Sequence, residues 1–258
     1  MKNSDLTAVI LAAGKGTRMK SSLPKVLHNV SGRAMIDHIY AETKKLTDDI
    51  IFIIGCEKVK NHIAEYKNCR YAYQRKKLGT ADALAKVKKL KVGRRLLVMP
   101  GDVPLLKSSQ LRRLIDFHVL HDNDISVLTA TRDDPSGYGR LIKKNGKVTD
   151  IKEELDATAS EKRIKTVNSG IYIFRAPEIF ALLEKIRPNP LKKEYYLTDV
   201  IKIAAGAGMK IKNLNSVNDS FLMGINSKTD LAMAEKIRKE KKGDGSYCGN
   251  RNRPRKEK

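Results

Sequence analysis

Tryptophan is absent from this chain, and aromatic residues make up only 5% of it. Proteins that grip unpaired RNA or DNA stack bases on such rings, interleaved with cations. The shortage disfavours specific nucleic-acid binding, although the formal net charge is +23. Much of that charge is lysine scattered in pairs along helix-like segments, as at Lys44-Lys45, Lys76-Lys77 and Lys88-Lys89. A field of this sign also suits an anionic substrate. Cysteine is scarce too. Cys56, Cys69 and Cys248 are odd in number and lack metal-ligand spacing, so they read as reduced thiols in a cytoplasmic protein. No apolar run is long enough to cross a membrane. The opening MKNSDL lacks the apolar core of a signal peptide. No internal repeat is visible, and in particular no hexapeptide array of the β-helix kind.

What is present is 258 residues with 41% hydrophobic content, enough for one large α/β domain or two small ones. Strand-like and helix-like segments alternate through the first half. Strands are expected at Ala8–Leu11, Ile50–Ile54, Arg70–Tyr73 and Leu96–Met99. Helices are expected over Ala34–Leu46, Lys58–Tyr66 and from Thr80 or Ala81 to about Leu90. That alternation predicts a Rossmann-like, doubly wound, mainly parallel sheet. Its ligands would sit beyond the carboxyl ends of the strands, so the loops after Leu11, Tyr73 and Met99 are expected to converge. The second half changes character. A strand at Ile125–Thr129 is followed by a hairpin, Arg140–Ile142 and Lys147–Ile151 about an Asn145-Gly146 turn, and by a strand at Val167–Phe174. These antiparallel pieces extend the parallel core. A helix is expected from Glu194 to about Ala207, a strand at Ile211–Leu214, and a last helix to about Lys239. The segment 241–258 reads as a basic, disordered tail.

The chain is organised around its opening, LTAVILAAGKGTRMKSSLPK, residues 6–25. A buried strand runs into Gly14 and Gly16, which permit φ > 0 and close approach of a ligand. Free backbone N–H groups in such a turn make a nest for anionic oxygens, and Arg18 and Lys25 add two cations. The pattern suggests a polyphosphate site. Met19 stands where a dinucleotide fingerprint needs glycine, and Met19 and Lys20 break the Walker A pattern. Asp102, taken alone, reads as a turn former or helix cap. Just beyond a strand end and beside Gly101, with the opening loop in mind, it reads as a ligand for a hard cation such as Mg²⁺. Glu153 alone reads as part of a solvated acidic loop. With Asn168 it supplies the acceptors and donors that a hydroxyl-rich ligand needs. Asn226 reads either as a second metal ligand or as a residue that starts the last helix.

The string L-A-A-G-x-G-T-R-M with Pro24-Lys25 resembles the signature loop of sugar-phosphate nucleotidyltransferases. Further blocks follow in order: LPKVLH from Leu23, LGTA from Leu78, GDVPLL from Gly101, GYGR from Gly137, EYYLTD from Glu194 and GIN from Gly224. Together they resemble the uridylyltransferase domain of bacterial N-acetylglucosamine-1-phosphate uridylyltransferases, up to about residue 238. The resemblance implies the nucleotide-diphospho-sugar transferase fold, with about 1–122 as a nucleotide-binding half and about 123–226 as a sugar-binding half. It implies Mg²⁺-dependent transfer of a uridylyl group from UTP to N-acetylglucosamine 1-phosphate, giving UDP-N-acetylglucosamine and pyrophosphate. Residue by residue, it implies that Leu11, Ala12, Ala13, Gly14, Lys25, Gln74, Gly79 and Thr80 hold the nucleotide. Arg18 and Lys25 would act on the phosphates, and Asp102 and Asn226 would hold Mg²⁺. Thr80, Gly139, Glu153, Asn168 and Asn226 would face the sugar.

The chain departs from the pattern at Ala81, Leu155 and Pro100, and it ends before the left-handed β-helix of the bifunctional enzymes. Acetyl transfer and the trimer built by that second domain are therefore not implied, and a monomer or weak oligomer is expected. Two rivals stay open. One is a uridylyl- or thymidylyltransferase for another hexose 1-phosphate. The other, more distant, is a nucleotide- or nucleic-acid-binding protein without catalysis.

Overall fold

The computed structural model describes residues 5–14, 16–216 and 219–243. Residues 1–4, Lys15, Cys248 and the rest of the basic segment from 244 onward lie outside the described residues. In chain order the elements are β1 (Leu6–Ala12), a short hairpin of β2 (Asn29–Val30) and β3 (Arg33–Ala34), α1 (Met35–Thr43), β4 (Ile50–Ile54), α2 (Glu57–Ile63), β5 (Cys69–Tyr73), α3 (Thr80–Ala85), β6 (Arg95–Pro100) and α4 (Ser108–Leu120). There follow β7 (Ile125–Thr131), the hairpin β8 (Arg140–Lys144) and β9 (Lys147–Lys152), α5 (Ala159–Lys162), β10 (Thr166–Arg175), α6 (Glu178–Leu183), α7 (Asp199–Gly206), β11 (Ile211–Asn215) and α8 (Lys228–Gly243).

One sheet carries the order β11-β7-β10-β6-β1-β4-β5, and the β8–β9 hairpin attaches to β10. β1 runs parallel to β4 and β6, β4 to β5, and β7 to β11. β10 runs antiparallel to both β6 and β7. The apolar runs explain this arrangement. In a pleated strand successive side chains point to opposite faces, so a strand covered on both faces must be apolar throughout. Val9, Ile51, Ile53, Leu96 and Val98 enter one core, beneath α3, α6 and α7. Ala8, Ile10, Phe52, Leu97 and Met99 enter the other, beneath α1, α2 and α4. The sheet is therefore doubly wound, with the expected antiparallel extension.

The chain passes from β1 to β4 and β5 on one side, then crosses to β6 on the other. That reversal opens a crevice at the carboxyl ends of β1 and β6, where doubly wound sheets bind ligands. The crevice is closed at its base by the Gly101 amide, which donates to the Leu11 carbonyl over 2.9 Å.

Helix boundaries differ from expectation: α1 ends at Thr43, α2 at Ile63 and α3 at Ala85, each short of the predicted end, and two later boundaries differ as well. Glu194–Thr198 is not helical, and α7 begins only at Asp199. The Tyr195 amide donates to the Leu78 carbonyl (2.7 Å), and the Ala81 amide donates to the Tyr195 carbonyl (3.0 Å). Backbone groups used across the molecule in this way cannot also close a helical turn. The last helix continues to Gly243, taking in residues 241–243 that the sequence assigned to the tail. α4 went unforeseen. Its buried stripe is Leu111, Leu114, Ile115 and His118, a helical spacing whose last place is filled by a histidine.

Candidate active site

The loop after β1 is shaped by Gly16, whose φ is 61°. A Cβ at that position would lie 2.6 Å from Lys25 Cβ, so only glycine lets the loop fold against the lysine. A short 3₁₀ turn, Thr17–Met19, follows and anchors itself through buried Met19, leaving Arg18 exposed. Gly14 has nothing within 4 Å of where its Cβ would be, so that backbone stands open to the crevice.

Lys25 organises the charged end of the site. Its ammonium pairs with the Asp102 carboxylate and donates to Asn226 Oδ1 over 2.7 Å. Arg18 Nη2 donates to the same Asn226 oxygen over 2.8 Å. Asn226 arrives from the far end of the sequence. The Ile225 amide donates to the Asp102 carbonyl over 2.9 Å and docks the 224–226 segment beside β6. Asn226 does not cap α8. Ser227 and Asp230 do so reciprocally: Asp230 N donates to Ser227 Oγ (3.1 Å), and Ser227 N donates to Asp230 Oδ2 (2.8 Å). The Asn226 side chain is thereby left to the cations.

Asp102 and Asn226 thus present a carboxylate oxygen and an amide oxygen to one point, now held by the lysine ammonium. That pair of hard oxygen donors fits a hard divalent cation, which keeps water or phosphate oxygens in its remaining positions. Among the described residues there is no cluster of three or more His, Cys, Asp or Glu that would form an all-protein metal cage.

On the β5 side of the crevice, Gln74 is buried beyond the strand. Its amide N–H₂ donates to the Gly79 carbonyl (2.8 Å) and to Asp82 Oδ2 (2.9 Å), which leaves its carbonyl oxygen for a ligand. β5 is not adjacent to β1, but the 74–80 segment folds back over the crevice. Gly79 makes that return possible, with φ 108° and a Cβ position only 2.4 Å from the Tyr195 carbonyl. Thr80 Oγ1 accepts from the Leu197 amide over 2.9 Å.

At the opposite side, Glu153 extends from β9 and accepts from Thr198 Oγ1 over 2.9 Å. Burial pushes its carboxyl above the ordinary glutamate range, against the lowering effect of the Thr198 hydroxyl. Asn168 sits at a bulge in β10 between Asn168 and Ile171. It donates to the Tyr172 hydroxyl (2.6 Å) and accepts from the Gly170 amide (3.0 Å). Gly139 lies behind both, its carbonyl accepting from the Asn168 amide over 2.8 Å. A Cβ on Gly139 would lie 3.5 Å from the Glu153 oxygens.

A cleft of about 580 Å³ joins these groups. Leu11, Ala13, Gly14, Arg18, Lys25, Gln74, Gly79, Thr80, Asp102, Glu153 and Asn168 line it. Ala12, Gly139 and Asn226 stand behind that lining. Sequence reasoning missed the contribution of Tyr196, Leu197 and Thr198, which form a wall of the cleft and link Thr80 to Glu153. The EYYLTD block signalled the segment but not its contacts. Of the departures from the family pattern, Ala81 is buried in the core, where it cannot touch a substrate. Pro100 and Leu155 do line the cleft.

Among the described residues, no histidine or cysteine lines this cleft. Its chemistry is that of cations and hard oxygens facing a wall of hydrogen-bonding groups, which suits phosphoryl transfer to a polar acceptor. Fold and site together define a nucleotidyltransferase. Residues 8–167 match the MobA-like NTP transferase domain, and the chain belongs to that family. Curated relatives include the bifunctional protein GlmU of Streptococcus pyogenes, 40% identical over 242 residues, covering 91% of this chain and 57% of the relative. The GlmU protein of Pelotomaculum thermopropionicum is 42% identical over 240 residues, covering 90% and 52%. The chain thus spans about half the length of the curated relatives it matches. A putative glucose-1-phosphate thymidylyltransferase from Bacillus anthracis, solved with sucrose, superposes with a TM-score of 0.71 at 21% identity, covering 90% of this chain and 94% of that one. The inositol-1-phosphate CTP transferase from T. maritima gives 0.70 at 16%, covering 94% and 99%. Both share the fold.

Proposed function

We propose that the chain transfers a uridylyl group from UTP to N-acetylglucosamine 1-phosphate, giving UDP-N-acetylglucosamine, a cell-wall precursor, and pyrophosphate. The observation that carries this reading is the convergence of Arg18, Lys25, Asp102 and Asn226 at the β1–β6 crevice, in the cleft that Glu153 and Asn168 also face. The kinship with GlmU proteins supports the choice of substrates. Residues 1–238 would act as one catalytic domain, with the nucleotide held by about 1–122 and the sugar by about 123–226. A cytoplasmic monomer or weak oligomer fits this role.

In this mechanism an oxygen of the sugar phosphate attacks the α-phosphorus of UTP. The new O–P bond forms as the bond from Pα to the bridging oxygen breaks, and pyrophosphate leaves with the electron pair. The nucleophile is already an anion at neutral pH, so no side chain need remove a proton. The difficulty is charge: two polyanions must meet, and positioning and neutralisation carry the catalysis. Gly14 and its neighbours offer backbone N–H groups to the triphosphate. Gln74 reads the uracil with its free carbonyl oxygen. Arg18 and Lys25 neutralise the α-phosphate and the departing pyrophosphate. Mg²⁺, held by Asp102 and Asn226, would supply further charge neutralisation and alignment of phosphate oxygens. Glu153 and Asn168 hold the sugar.

Pyrophosphate release from UTP with Mg²⁺ and a panel of sugar 1-phosphates tests the proposal. Release with N-acetylglucosamine 1-phosphate is expected, and Arg18→Ala or Lys25→Ala should lower turnover by about 10²–10³. Release only with another sugar would transfer the specificity to Leu155 and Pro100. Folded protein that binds UTP and releases nothing would overturn catalysis.

A further inference from the structure

A second cavity, of about 400 Å³, lies at the other end of the sheet. Arg95 opens β6, Arg175 closes β10, and both face it with Arg94 and His118. Arg175 is already paired, with Asp122 Oδ1 at 2.6 Å and Asp124 Oδ1 at 3.4 Å. The guanidinium groups of Arg94 and Arg95 make no hydrogen bond or ion pair among the described residues. Two unpaired guanidiniums at one cavity mouth, from adjacent positions, are a ready anion receptor.

The cavity floor is polar and incompletely satisfied. Asn123 is fully buried there; its amide N–H₂ donates to Ser126 Oγ over 3.0 Å, while its Oδ1 has no partner. An orphaned buried acceptor costs free energy that a ligand donor would recover. His118 Nδ1 lies 3.0 Å from the same Ser126 hydroxyl. Burial, and then the charges of Arg95 and Arg175, push the imidazole down to about 4, so it is neutral at pH 7. Asp122 and Glu178 stand at the rim. They disfavour a ligand that is anionic along its whole length and favour one whose charge is confined to one end.

We propose that this cavity binds a small phosphomonoester, its phosphate on Arg94 and Arg95 and a hydroxyl or amine of its body donating to Asn123 Oδ1. The site is separate from the reaction cleft and does not depend on which sugar that cleft accepts. β6 and β10 run directly from one to the other. The 6 residues of β6 span on the order of 20 Å at the usual strand rise.

The imidazole of His118 is the reporter. Glycerol 3-phosphate, added to the full chain, should shift the His118 ring resonances in proton NMR saturably and raise its titration midpoint. Arg94→Ala combined with Arg95→Ala should weaken that response at least tenfold, and Lys25→Ala should leave it intact. Inorganic phosphate should bind more weakly, because it brings no body to reach Asn123. An unmoved His118, an equal response in the arginine double variant, or loss of the response in Lys25→Ala would each overturn the site. Equal affinity for inorganic phosphate would overturn the role of Asn123. Should the double variant fail to fold, Arg94→Gln at its exposed position is expected to weaken binding severalfold, and an unchanged response there would overturn the proposal.

Discussion

Glu153 shows how surroundings change the properties of one side chain. Desolvation raises its carboxyl above the ordinary glutamate range, and the Thr198 hydroxyl opposes the shift. The folded chain therefore holds this proton at pH values where the unfolded chain has lost it. Stability contributed here falls as pH rises from the ordinary glutamate value through the raised one. On the proposed function, binding moves the other way, because only the carboxylate accepts from sugar hydroxyls with both oxygens. We expect the KM for the sugar phosphate to rise as pH falls toward the raised value, with the KM for UTP changing less. Glu153→Gln should flatten that difference, since it leaves the substrate's own titration in place. Steady-state kinetics from pH 5 to pH 8, in roughly half-unit steps over the range where carboxylates shift, would show parallel profiles if Glu153 lies outside the sugar site. Taken alone, the sequence offered Glu153 as part of a solvated acidic loop, and only Asn168 and the family resemblance pointed to a sugar contact. Its burial depends on Thr198, 45 positions away, a separation that no local pattern encodes.

At the scale of elements, strands were the more legible. β4 matches the apolar run Ile50–Ile54 residue for residue, because a strand buried on both faces must be apolar along its whole length. α4 was hidden by a buried histidine that completes its stripe, and Glu194–Thr198 by a composition compatible with helix. Helix is delayed there because Leu78 and Ala81 claim the Tyr195 backbone, a long-range cause, and Leu197–Thr198 only turn the chain into α7. The start of α8 carries more function than its position suggests. Asp230 Oδ2 accepts from both Asn226 N and Ser227 N, each over 2.8 Å, and so fixes the turn that presents Asn226 to Arg18 and Lys25. Asp230→Ala should cost about 1 kcal/mol of stability, as for loss of a helix cap. It should also raise the Mg²⁺ concentration needed for half-maximal turnover. Urea unfolding and a Mg²⁺ titration read the two effects separately. A stability loss with an unchanged Mg²⁺ curve would confine Asp230 to the helix.

For the whole molecule, the end of the cleft that holds Arg18, Lys25 and Asp102 drew attention in the sequence because it is built from contiguous motifs at strand ends. The partners within it did not. Lys25 bridging Asp102 and Asn226 joins three distant stretches of chain. The excess of basic residues, 52 against 29 acidic, gives the chain a net positive field, and the proposed substrates are polyanions. Long-range attraction of this kind weakens as salt shortens the screening length to about 3 Å near 1 M. The KM values for both substrates should therefore rise with ionic strength while kcat changes little. Insensitivity of both KM values to added potassium chloride would remove the field from the account of binding.

The Lys25–Asp102 pair has a further consequence. The cation that should meet the triphosphate is, in the free protein, quenched by a neighbouring anion. The pair acts as a latch: on the proposed function, an incoming nucleotide competes with an internal carboxylate for the same ammonium. Affinity and rate should then separate when the latch is removed. In metal-free buffer Asp102→Asn should bind UTP more tightly than the parent chain, and with metal restored it should turn over far more slowly. Calorimetry of UTP binding without metal would show it. Weaker binding in the variant would mean that the pair orders Lys25 for the phosphates instead of withholding it from them.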